Sequence, residues 1–202
     1  MKRALLSSVF ILCSSFAVHG QQPFPPPPAP GYVYTLPYGG YAAYAAAGSS
    51  ALAVAGDAYC VGGSASQNVQ ITKIGISAVA TGATTVLVSV IVRSAANTGG
   101  SSNSVSIESY DQNKPAATAT ATSYDALSVP GGVIGTVRAA NVVVGAKGSS
   151  NVAIGEMLFR FEPSPLILRG ASQFACINVS AVGAGAQISV FHEHVETTVG
   201  FP

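Results

Sequence analysis

Residues 71–93, ITKIGISAVATGATTVLVSVIVR, carry the clearest pattern in the chain. Successive side chains of a strand point to opposite faces. Val69, Ile71 and Lys73 therefore share one face, while Gln70, Thr72, Ile74, Ile76 and Ala78 share the other. The apolar positions change face near Lys73, which predicts a bulge or a change of strand partner there. After the turn formers Thr81-Gly82-Ala83 comes a nearly unbroken β-branched run over 86–92, the mark of a strand covered on both faces. Val, Ile and Thr lose rotamer freedom in helices and pack well on sheets, so a buried helix is the poorer reading.

The same short-period pattern recurs downstream. Strands are predicted over 104–110, 117–124, 133–144 (one or two, with Arg138 outward), 152–162 and 166–168. In the fourth of these Met157, Phe159 and Phe161 share a face, and Pro163 and Pro165 end it. Residues 174–182 and 187–196 read as a closing hairpin across Gly183-Ala184-Gly185. Loops rich in turn formers separate them at 97–103, Lys114-Pro115 and Pro130-Gly131-Gly132. Many short strands without a long helix predict an all-β chain, an antiparallel β-sandwich of the jelly-roll kind, over residues 51–202.

The N-terminal quarter has a different composition. Residues 1–20 read as a signal peptide: Lys2 and Arg3, an apolar run over 4–18, then small residues at Val18 and Gly20, with cleavage after Gly20. The apolar run is shorter than the ~20 residues a membrane span needs. Leu12 before Cys13 is too large for a lipoprotein signal. Residues 21–50 are expected to form a disordered Pro- and Tyr-rich arm. Its first part, QQPFPPPPAP, is a polyproline spacer, and five tyrosines follow among Ala and Gly, with a short helical turn conceivable over 42–47.

No later segment is apolar for long enough to span a bilayer, so the mature chain is expected to be exported, periplasmic or extracellular. Losing Lys2 and Arg3 leaves seven basic against eight acidic side chains, with no basic patch, which argues against nucleic acid. Charged residues make up 8% of the chain, far below the usual ~25%, and that suits either a surface covered by other subunits or a neutral Ser/Thr-coated monomer. Two cysteines remain after cleavage. Cys60 precedes the first clear strand and Cys176 lies in a late one; they are either a disulfide, contributing up to ~4–5 kcal/mol over so long a loop, or two buried thiols.

Candidate chemistry is sparse. His192, His194 and Glu196 project to one side of a strand at a spacing that suits Zn²⁺. The plainer alternative, and the expectation, is a solvent-facing strand end with no metal, its histidines titrating near the ordinary ~6.5. Neither cysteine has a neighbouring base, and there is no G-x-S-x-G turn. Glu108 and Asp111 read as loop-rim carboxylates rather than a glycosidase pair. With no Trp, sugar stacking would fall to Tyr59, Tyr110 and Tyr124. No catalytic residue and no cofactor is expected.

The runs RSAANTGG (93–100) and YDQNKPAATA (110–119), with CVGGSA (60–65) and GTVRAA (135–140), resemble small β-sandwich modules of tailed-phage and prophage virion proteins. The likeness covers residues 55–196. Tyr110 and Gln112 stand where that pattern has a His and a Ser, and a signal peptide is foreign to virion proteins assembled in the cytoplasm. The resemblance implies a decoration or appendage role and no catalytic residues. The expected function is a non-enzymatic, self-associating structural or adhesive sandwich, a trimer by analogy with other jelly rolls, with a cell-surface or glycan partner. The alternative is an exported binding module for a glycan or a metal ion.

Overall fold

β-Branched and small residues build strands throughout residues 40–47, 54–80, 84–146, 155–181 and 187–198, the parts described in this computed structural model. In chain order these are β1 (Tyr41–Ala47), β2 (Gly56–Gly62), β3 (Gln67–Ala80), β4 (Thr84–Arg93), β5 (Ser102–Ser104), β6 (Glu108–Ser109), β7 (Thr120–Tyr124), β8 (Val133–Ala146), β9 (Gly155–Arg160), β10 (Leu166–Arg169), β11 (Phe174–Val179) and β12 (Gln187–Thr198). They form two packed sheets. Sheet A runs β6-β1-β12-β3, with β10 and β9 sharing the far edge of β3; sheet B runs β5-β7-β2-β11-β4-β8. Pairing is antiparallel except where Gly145 and Ala146 of β8 meet Val79 and Ala80 of β3.

Strands β1 to β4 alternate between sheets A and B. So do β8, then β9 with β10, then β11 and β12. This interleaving is the jelly-roll order of the predicted antiparallel sandwich, with β5–β7 as an insertion. The core lies between the inward faces. Ile71, Ile74 and Ile76 of β3, and Ile188 and Val190 of β12, oppose Val86, Val88 and Val90 of β4 and Ile177 and Val179 of β11. Each such side chain contributes roughly 1.5–3 kcal/mol when fully buried.

The face switch in β3 is a bulge. His194 pairs with Ile71 and Glu193 with Lys73, which leaves Thr72 as the extra residue. The partner on the other edge changes at the same point, from β10 at Ile71 to β9 at Lys73.

Several expectations are corrected. The run 86–92 is not buried evenly on both faces: Val86, Val88 and Val90 are buried, while Leu87 on the outer face is 46% exposed. Residues 104–110 do not form one strand. They cross from β5 in sheet B to β6 in sheet A. β11 and β12 are not a hairpin, since β11 pairs β2 and β4 while β12 pairs β1 and β3. Residues 42–47 are neither helical nor part of an arm. β1 pairs with β12 along its whole length, so the sandwich starts at Tyr41 and not at 51. Seven residues cannot hold an isolated helix in water, and the exposed edge of β12 offers the same backbone a complete ladder. The signal peptide, the proline spacer and the turns at 81–83 and 183–185 lie outside the described residues.

Candidate functional site

Alternation along β12 sends Ile188, Val190, His192, His194 and Glu196 to the same face, and that face is the interior. The expected solvent-facing strand end is therefore a buried polar row, fed from both sheets. The hydroxyl of Tyr59 on β2 lies 2.8 Å from His192 Nδ1, and His192 Nε2 lies 3.0 Å from His194 Nδ1. His194 Nε2 then faces Glu196 Oε1 at 3.5 Å, an electrostatic contact rather than a hydrogen bond. Glu196 is pinned by the Ala119 N–H at 2.7 Å, the Thr118 N–H at 2.8 Å and the Thr118 hydroxyl at 2.8 Å. Tyr41 of β1 stacks on His194 at 5.2 Å and donates to the Pro115 carbonyl at 3.0 Å, closing the end of the row.

The electrostatics give the row one direction. Burial, reinforced by His194, pushes the His192 pKa down to about 3. Burial also lowers His194, against the upward pull of Glu196. Burial alone would raise Glu196, but the Ala119 and Thr118 donors outweigh it and hold the carboxyl below its usual range. Burial raises Tyr59 well above the ordinary phenol value. Near neutral pH both histidines are thus uncharged and Glu196 is ionised. With Nε2–H tautomers, Tyr59 donates to His192, His192 donates to His194, and His194 turns its N–H toward the carboxylate. Three ring nitrogens are engaged in line instead of converging, and among the described residues this trio forms no group whose donor atoms cluster as metal ligands do.

A second polar cluster lies on the outer face of sheet B. Arg93 Nε and Nη2 reach Asp57 Oδ2 and Oδ1 at 2.6 and 2.7 Å, a bidentate pair with both side chains buried. Asn97 and Asn178 each add a donor at 2.8 Å, and Arg93 Nη1 donates to the Gly131 carbonyl at 2.9 Å. The loops on either side of the Thr98–Val129 bridge bring Asn97 and Gly131 into this network. Beside it, Cys60 and Cys176 stand opposite one another on β2 and β11 and are joined as a disulfide. The sulfurs approach Asp57, but bonded to each other they are not thiolate ligands.

The outer face of sheet A presents a different surface. Tyr44 pairs with Phe191, Phe191 with Gly75, and Gly75 with Leu158, giving one continuous row across four strands. A Cβ at Gly75 would fall 1.9 Å from the Phe191 ring, so the glycine is what lets the ring lie against the sheet. Tyr44, Phe191 and Leu158 are 65%, 38% and 41% exposed and, with Met157, Ser77 and Ser189, line a shallow depression of about 530 Å³. The Tyr44 hydroxyl meets Ser189 Oγ at 2.9 Å, and the Lys73–Glu193 ion pair, 2.7 Å long, occupies the next row.

Of the tyrosines expected to stack on a sugar, Tyr59 and Tyr124 are buried and only Tyr110 is exposed. Glu108 sits in β6, and Asp111 accepts from the Asn113 backbone N–H in the following turn. Gly75, Phe191 and Asp57 carry no expected role, Tyr44 falls among the tyrosines of the expected arm, and Arg93 falls only in the run 93–100. A glycine inside an Ile-rich strand, and single charges within apolar strands, were the available signals. Comparison with known protein families, curated proteins and solved structures finds no match.

Proposed function

We propose that the chain is an exported, non-enzymatic structural or adhesive sandwich that associates with copies of itself. The observation that carries this reading is where its chemistry-bearing and apolar groups lie. The histidines, Glu196, Asp57 and Arg93 are buried and engaged with one another or with neighbouring groups, whereas Tyr44, Leu158 and Phe191 on sheet A and Leu87 and Val143 on β4 and β8 stand exposed. With 8% charged residues, little like-charge repulsion opposes contact between copies. The Cys60–Cys176 disulfide suits an oxidising compartment, in keeping with an N-terminal export signal. Resemblance to virion decoration modules supports the structural role, though not the export. The test is to express the full chain in a bacterium, fractionate the cells and size the processed product with and without reductant. The reading requires an oxidised, oligomeric chain outside the cytoplasm; a reduced chain retained in the cytoplasm would refute it.

A second reading is glycan binding in the depression on sheet A. Exposed rings at Tyr44 and Phe191 beside the hydroxyls of Ser77 and Ser189 offer both stacking and polar contacts to a sugar. Retention on a glycan array that Tyr44→Ala abolishes would support it, and no retention on any glycan would dismiss it.

A further inference from the structure

We propose that β8 is the self-association strand, pairing edge to edge with β8 of a second copy so that sheet B continues across the pair. This rests on the self-associating reading above. β8 spans 14 residues and pairs with β4 over residues 133–144 along one edge. On its other edge only Gly145 and Ala146 meet β3, and among the described residues no other backbone bonds to that edge. Its faces are open as well. Every residue from 133 to 139 is exposed except Gly135, which is half-buried, so neither the interior nor a covering loop finishes this part of the strand.

A long strand in this state is unusual unless something covers it, because free edges template pairing. The other edges among the described residues are short: β5 has 3 residues, β6 has 2, β9 has 6 and β10 has 4, and β1 is open only over Ala43–Ala47, beyond its pairing with β6. β8 is not short, and although its register against β4 shifts twice, leaving Ile134 and Val137 as extra residues, it runs without a shift from Arg138 to Val144. It contains no proline, and its one charge, Arg138, sits 5.9 Å over the Phe161 ring.

The unpaired row of alternating N–H and C=O groups says what fits there, namely another extended backbone. The side chains say whose. Val133, Ile134, Val137 and Val143 are apolar and exposed, and antiparallel pairing about a two-fold axis would set branched residues against branched residues with a single Arg138 from each copy. A strand from another protein would find the same apolar side chains but would have to match them.

The test uses the processed chain with three sequences: wild type, Ile134→Lys/Val137→Lys, and Ser172→Lys as an exposed control away from β8. Light scattering across concentrations is read together with amide hydrogen exchange. The wild type and the control should reach a mass of two chains, and the amides on the free edge of β8 should gain protection as the dimer forms. The double lysine variant should keep its disulfide and fold while its dissociation constant rises by on the order of 100-fold or more. A wild-type mass of three chains, or a dimer unaffected by the two lysines, would overturn β8 pairing and leave self-association standing. A wild type monomeric at every concentration would overturn both. Protection of β8 only by a strand of foreign sequence would overturn the choice of partner.

Discussion

Acid should unfold this protein through two buried histidines, and the sequence makes the experiment unusually clean. Its three histidines are His19, His192 and His194, and the first lies in the expected signal peptide. Titration of the processed chain between pH 5 and 7 therefore reports His192 and His194 alone among the histidines. Burial holds the folded His192 pKa at about 3, against 6.5 unfolded. The sign follows directly. Above pH 6.5 both states are neutral at this residue and the contribution is complete. As pH falls below 6.5 the unfolded chain takes up a proton that the folded chain refuses, so stability is lost progressively until the pH nears 3. At pH 5 the difference is 1.5 pH units below the unfolded value, or about 2 kcal/mol from His192. His194 is shifted in the same direction and adds to the loss. Glu196, held below its ordinary pKa, contributes stability above 4.5 that is lost only at lower pH, so it does not blur this window. A loss of about 2 kcal/mol lowers Tm by roughly 4–8 °C in a chain of this size. The assay is urea unfolding followed by far-UV circular dichroism at pH 7.5, 6 and 5, with the disulfide intact. His192→Gln, neutral throughout, should reduce the pH slope by about 1.4 kcal/mol per pH unit, one proton's worth. Equal stability at pH 7.5 and 5, or a slope unchanged in His192→Gln, would refute the reasoning.

Two further perturbations follow from the packing. Asp57→Ala strands Arg93 in a buried site and should cost about 3–5 kcal/mol, whereas Glu193→Gln breaks the more exposed Lys73 pair and should cost under about 1 kcal/mol; urea midpoints at pH 7.5 separate the two. Gly75→Ala places a methyl where the Phe191 ring lies, so it should destabilise by about 1–3 kcal/mol, and Phe191→Ala in the same chain should recover part of that loss in a double-mutant cycle.

Local periodicity carried much of the fold. The apolar face switch in β3 was readable because one inserted residue, Thr72, inverts the parity of every residue after it. Strand partners were not readable, because a period of two says which face is apolar but not which strand lies alongside; β11 and β12 look like a hairpin and belong to different sheets. β1, with the sequence YAAYAAA, is too poor in large apolar residues to announce a strand, and its identity comes from the β12 edge it completes. The candidate site was half legible. His192, His194 and Glu196 share a face as alternation requires, but polar side chains ordinarily face outward and these three face inward. The missed clue was that Ile188 and Val190 have the same parity, so the apolar face of β12 runs straight into the histidines. Phe191 could not be tied to Gly75 or Tyr44 without the register that sets them side by side.

Self-association is read most simply from sedimentation of the oxidised, processed chain over a wide concentration range. A chain that associates with its own copies will shift reversibly from one chain toward an oligomer as concentration rises. A single monomeric species, indifferent to concentration, would contradict it.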